Sequence, residues 1–93
     1  IRARFCGIHF FNPPRYMKLV EIIPHSASDS ALLTQLETFL VTKVGKGVVY
    51  AKDTPNFIAN RIGVFGMLAA VHHSRDLNLS PDKVDALTGP IIG

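Results

Sequence analysis

A histidine, an asparagine and a glutamate stand at positions 9, 12 and 21 of one strongly apolar stretch, Gly7-Ile-His-Phe-Phe-Asn-Pro-Pro-Arg-Tyr-Met-Lys-Leu-Val-Glu21. These side chains suit proton transfer. Imidazole changes charge near neutral pH. A carboxylate that accepts from one ring nitrogen sets the tautomer, leaves the other nitrogen for a substrate, and favours the imidazolium formed once a proton is taken. Asn12 could donate its amide to a carbonyl oxygen of the same ligand. A fourth polar residue, Asn60, lies in "NFIANRIG" among apolar neighbours. Asparagine is a poor helix-interior residue because its side chain competes for backbone partners, so it either bonds a loop at a partly wet helix start or faces the His9 hairpin across the domain cleft. Histidine–carboxylate pairs across hairpins are also common as plain structural contacts, and residue types alone leave that bland alternative the more frequent one.

The elements that must position these groups can be read in order. Ala3 to Phe10 is apolar at nearly every position and predicts a strand buried on both faces, with Phe5, Ile8 and Phe10 inward. Asn12-Pro-Pro-Arg15 ends it, since proline fixes φ and withdraws ladder donors. Met17 to Ile23 predicts a second strand closed by Pro24. Folded back antiparallel, the two strands pair with residue numbers summing to about 30, which sets His9 across from Glu21. Ser26-Ala-Ser-Asp-Ser30 offers caps for a helix whose buried stripe is Leu32, Leu36, Phe39 and Leu40. Gly45 and Gly47 punctuate its end, and Val48 to Ala51 predicts a strand parallel to the second through a βαβ crossover. Asp53-Thr-Pro55 opens a long helix to about Arg75, with Phe57, Ile58, Ile62, Phe65, Leu68 and Val71 on its apolar stripe. Ser80-Pro81 starts a further helix that Gly89-Pro90 stops. Composition shifts near Lys52 from α/β to all-helical, which places a domain boundary there.

The bulk numbers narrow the class. At 93 residues with 47% hydrophobic residues, the chain suffices for one small core. One cysteine, Cys6, rules out a disulfide framework and points to a reducing, intracellular home, cytoplasmic if the source is bacterial; Cys6 reads as a small buried hydrophobe. No apolar run reaches the length of a bilayer span, so no membrane insertion is expected. The net charge of +3 is scattered, and no nucleic-acid-binding pattern accompanies it. The adjacent pair His72-His73 cannot share a helix face, so no metal site is expected from it. "GKG" at 45–47 is too short for a phosphate loop and reads as a helix exit. Arg61 and Lys52 read as solvated, and Asp82 as an acid in a first helical turn. The chain enters directly into strand-like sequence and stops on "GPIIG", as a piece of something longer would.

"GIHFFNPPRYMKLVEIIP" followed by "KDTPNFIANRIG" resembles the 3-hydroxyacyl-CoA dehydrogenase family, over Phe5 to Asp85 and in two motifs at matching separation. The resemblance implies an α/β fragment. Residues 1–52 would be the C-terminal part of an NAD-binding Rossmann-like domain, with an antiparallel hairpin plus a βαβ unit. Residues 53–93 would begin an all-α domain for substrate binding and dimerisation. It implies His9 as the base that takes the 3-hydroxyl proton, Glu21 as the carboxylate that orients it, and Asn12 and Asn60 as substrate-binding amides, Asn12 also meeting the cofactor. The implied cofactor is NAD and the implied partner an acyl-CoA, in fatty-acid β-oxidation, with a homo-oligomer or strand-exchanged assembly expected. The glycine-rich dinucleotide fingerprint is not in this chain, and position 56 is asparagine where many members have glycine. Activity is therefore expected of an intact parent, with this chain alone inactive. A dehydrogenase for another hydroxy acid and a non-catalytic interaction module remain the alternatives.

Overall fold

The computed structural model describes residues 1–92. Its contacts divide into two compact units, Ile1–Ile58 and a second beginning at Ala59. The first holds a three-stranded sheet in the order β1-β2-β3, formed by β1 (Cys6–Phe10), β2 (Leu19–Pro24) and β3 (Gly47–Tyr50). The helix α1 (Ser30–Thr42) connects β2 to β3. β1 and β2 are antiparallel with Cys6 opposite Pro24, His9 opposite Glu21 and Phe10 opposite Val20, the predicted register. β2 and β3 are parallel, with Val20 beside Val48 and Glu21 beside Val49.

Alternation along the central strand sorts the sheet into two faces. Val20 and Ile22, both fully buried, point toward α1 and form the core with Leu40, against which Cys6, Leu33, Leu36 and Val48 pack. Glu21 and Ile23 fall on the other face, along with His9 and Gly7 of β1. The contact at Gly7 is close: a Cβ there would meet the Ile23 Cβ at 3.2 Å. Asp29, not an earlier serine, caps α1, accepting from the Ala31 amide at 2.9 Å. Tyr50 at the end of β3 donates to Glu37 Oε2 at 2.8 Å. Desolvation, then that bond to the carboxylate, pushes its phenol up to about 12. The N-terminal turn (Arg2–Arg4) is strapped down by three contacts. Asp29 N–H donates to the Ala3 carbonyl, His25 Nε2–H to the Arg2 carbonyl, and the Ser28 hydroxyl to the Phe5 carbonyl.

Several expectations are corrected. β1 is not buried on both faces: it is an edge strand, and Phe5, Ile8 and Phe10 are 64%, 41% and 43% exposed. Phe5 and Ile8, with Leu32, Leu36 and Phe39 of α1, line an open apolar groove of about 470 Å³. Phe39 is accordingly exposed, and the inward stripe of α1 runs through Leu33, Leu36 and Leu40. β2 starts at Leu19, two residues late, because Tyr16 and Met17 donate their amides to the Pro13 carbonyl in a tight turn.

The long helix α2 (Ala59–Asp76) starts six residues after Asp53. Asn56 and Phe57 have φ of 65° and 49°, left-handed backbone that no helix can include. Asparagine tolerates this region better than other side chains, and glycine better still. Phe57 and Ile58 therefore precede the helix instead of sharing its stripe. Asn78 (φ 52°) follows the last turn of α2, and α3 (Pro81–Ile92) continues through Gly89-Pro90 where a stop was expected. No described helix is long and apolar enough to cross a membrane.

Leu40 is 3% exposed in a close-packed core. Leu40→Ala should lower the unfolding free energy in urea by about 2–5 kcal/mol, and Leu40→Met by less than about 1.5 kcal/mol. Equal losses for the two would show that Leu40 fills no core volume.

Candidate functional site

Glu21 is fully buried on the central strand between Val20 and Ile22. An ionised carboxylate in such a place is costly unless charge-assisted hydrogen bonds replace its water. Two such bonds come from the neighbouring strand and from the segment ahead of α2. His9 Nδ1–H donates to Oε2 at 3.0 Å, and the Ile58 backbone N–H donates to Oε1 at 3.2 Å. Cross-strand pairing brings the first donor; the positive-φ turn at Asn56-Phe57 brings the second.

A carboxylate can only accept, so the bond assigns the proton of neutral His9 to Nδ1 and leaves Nε2 bare. Two aromatic rings also pack against the imidazole. Phe11 lies 4.6 Å and Phe57 5.4 Å from it, centroid to centroid, both tilted. The side chain of His9 is 27% exposed while that of Glu21 is inaccessible. The arrangement is that of a solvent-reachable base backed by a buried anion: it can take one proton at Nε2, and Glu21 then stabilises the imidazolium.

The structure thus joins His9 to Glu21. Asn12 is exposed, on the loop that follows β1, at the head of a turn closed by the Pro13 carbonyl. Asn60 is exposed in the first turn of α2, in the second compact unit, and not in a helix interior. His72 bonds Asp76 one turn on, Nε2 to Oδ2 at 3.3 Å, on the exposed surface. Sequence reasoning missed the Ile58 amide and the two phenylalanines around His9. A backbone donor has no sequence signal, and Phe57 was absorbed into a helical stripe because a non-glycine residue at positive φ is not foreseeable from its type.

The tautomer is directly testable. Nitrogen-15 NMR at high pH should show His9 protonated at Nδ1 and bare at Nε2. In Glu21→Ala the same ring should revert toward the Nε2–H form usual for free imidazole, and the protein should lose about 1–3 kcal/mol of stability as the part-buried Ile58 amide loses its acceptor. An unchanged tautomer in the variant would remove Glu21 as its cause.

Residues 1–54 match the family described as 3-hydroxyacyl-CoA dehydrogenase, NAD binding domain. A probable 3-hydroxyacyl-CoA dehydrogenase of Deinococcus radiodurans is 49% identical over 92 residues, covering 99% of this chain and 27% of its own length. Another of Bacillus subtilis is 51% identical over 92 residues, 12% of its own length. The crystal structure of (S)-3-hydroxybutyryl-CoA dehydrogenase from Ralstonia eutropha superposes with a TM-score of 0.74 at 32% identity, covering 86% of this chain and 28% of that one. The chain therefore spans about a quarter or less of the length of these relatives. With a family match over more than half its residues and its hairpin register intact, the chain belongs to the 3-hydroxyacyl-CoA dehydrogenase family.

Proposed function

We propose that this chain carries the proton-transfer half of an NAD-dependent 3-hydroxyacyl-CoA dehydrogenase, which oxidises a 3-hydroxyacyl-CoA to the 3-ketoacyl-CoA. The observation that carries this reading is the 3.0 Å bond from His9 Nδ1 to the fully buried Glu21 carboxylate. It is a pairing that a merely structural hairpin contact would not need to bury. Oxidation of a secondary alcohol removes a hydride from C3 and a proton from its oxygen. His9 Nε2 accepts that proton as the C3–O bond becomes a carbonyl, and the charge so formed on the ring sits against Glu21. Phe11 and Phe57 hold the imidazole plane and keep water off its sides.

Bound NAD supplies the hydride acceptor. The chain has no G-x-G-x-x-G turn, so of its own residues only the exposed Asn12 is assigned a cofactor contact. Asn12 and Asn60 are assigned to the substrate's acyl and keto oxygens, Asn60 on family resemblance alone. Residues 1–52 are assigned to the NAD-binding domain, supported by the family match over 1–54, and residues 53–93 to the start of a helical, dimer-forming domain. A homo-oligomer is part of this assignment.

In the intact protein, His9→Gln should lower kcat by roughly two orders of magnitude or more with little change in KM. The rate of nicotinamide reduction with a 3-hydroxyacyl-CoA measures this. An unchanged kcat would remove His9 from the reaction, and faster turnover of free hydroxy acids than of the thioester would move the protein to another substrate class.

A further inference from the structure

Lys46 belongs to a short motif that the function has not yet used. Its backbone N–H closes α1 on the Leu40 carbonyl at 2.9 Å, past Gly45 in the left-handed region (φ 72°). Its half-buried side chain then leaves the helix exit and crosses to the β1–β2 loop. There the ammonium donates to the carbonyls of Pro14 and Met17, the latter at 2.7 Å. The next residue, Gly47, donates its N–H to the Lys18 carbonyl at 2.8 Å and so begins the parallel pairing of β3 with β2.

Those two carbonyls belong to the turn of residues 13–17, which follows Asn12 directly. Pro13 and Pro14 bring no amide donors to this loop, so the loop cannot hold itself with a ladder of its own. A cation that collects carbonyls is the inverse of an anion held on amides, and charge-assisted bonds of this kind are the strong ones. Lysine suits the task, since three donors on one tetrahedral nitrogen can take carbonyls from different directions.

On the dehydrogenase reading of this site, we propose that Lys46 is a positioning residue: it clamps the β1–β2 loop and thereby sets the place of Asn12 relative to His9. Sites whose groups ride on loops need such outside support, because displacement by about an ångström can cost a hundredfold in rate.

The test compares the intact wild-type protein with Lys46→Met, Lys46→Arg, Asn12→Ala and the Asn12→Ala/Lys46→Met double variant. Turnover of a 3-hydroxyacyl-CoA with NAD and thermal unfolding are read for each. Lys46→Met should lower kcat roughly tenfold to a hundredfold with KM little changed, and Lys46→Arg should restore most of the loss. The double variant should be no slower than Asn12→Ala, because the lysine then has nothing left to position. Multiplying losses in the double variant, or a Lys46→Met enzyme as fast as wild type, would overturn the proposal. Amide exchange separates this from failure of the dehydrogenase reading. If wild type turns nothing over, that reading fails, while faster exchange at Tyr16 and Met17 in Lys46→Met, with Leu33 unchanged, would still establish the clamp. Unchanged exchange at both amides would remove it.

Discussion

A carboxylate with no access to water, on the middle strand of a three-stranded sheet, is the constraint around which the first compact unit is arranged. Glu21 can stay charged there only if donors reach both of its oxygens. Among the donors that reach it are a side chain on the antiparallel neighbour, His9, and a backbone amide thirty-odd residues later in the chain, Ile58. The local backbone follows from that need. The turn at Asn56-Phe57 holds left-handed φ at two consecutive non-glycine residues, an unfavourable conformation that persists only where surrounding contacts repay it. The Ile58 N–H on Glu21 and the Phe57 ring against His9 are those contacts.

The same strand also explains the two-faced logic of the unit. Val20 and Ile22 face α1 and supply the apolar core, while Glu21 between them faces the opposite side and meets His9. One-residue slippage of β2 would turn Val20 and Ile22 away from the helix and put Glu21, flanked by Leu19 and Ile23, into the core. Register is therefore set by hydrophobicity, and the His9–Glu21 pair inherits its precision from packing on the other face of the sheet. That is the physical sense in which the apolar walls around these polar groups serve the site.

The chain shows large exposed apolar side chains on β1, Ile8 and Phe10, and along α2, among them Ile62, Phe65 and Leu68. The relatives it matches are about four times its length or more. An edge strand with an open apolar face is a surface that pairs readily with further chain.

Much of this was legible from residue types. Prolines at 13 and 14 mark the hairpin turn, alternation marks the strands, and together they set the register that puts His9 opposite Glu21. That inference succeeds because a strand's period of two and a turn's chemistry are local properties. What the linear chain could not reveal are contacts made by groups with no side-chain identity or with unexpected backbone. Burial on both faces of β1 was read from hydrophobicity, which reports what a residue prefers and not what neighbours are present. The helix was started at Asp53-Pro55 from capping rules, whereas the tertiary demand for an amide at Glu21 delays it to Ala59. Lys46 looked like part of a helix exit, and only the folded chain brings its ammonium to carbonyls some thirty residues away. Local pattern thus determined the elements and their pairing. Three-dimensional closure decided which donors reach the buried charge, because hydrogen-bond satisfaction in a dry interior is a property of the assembled fold.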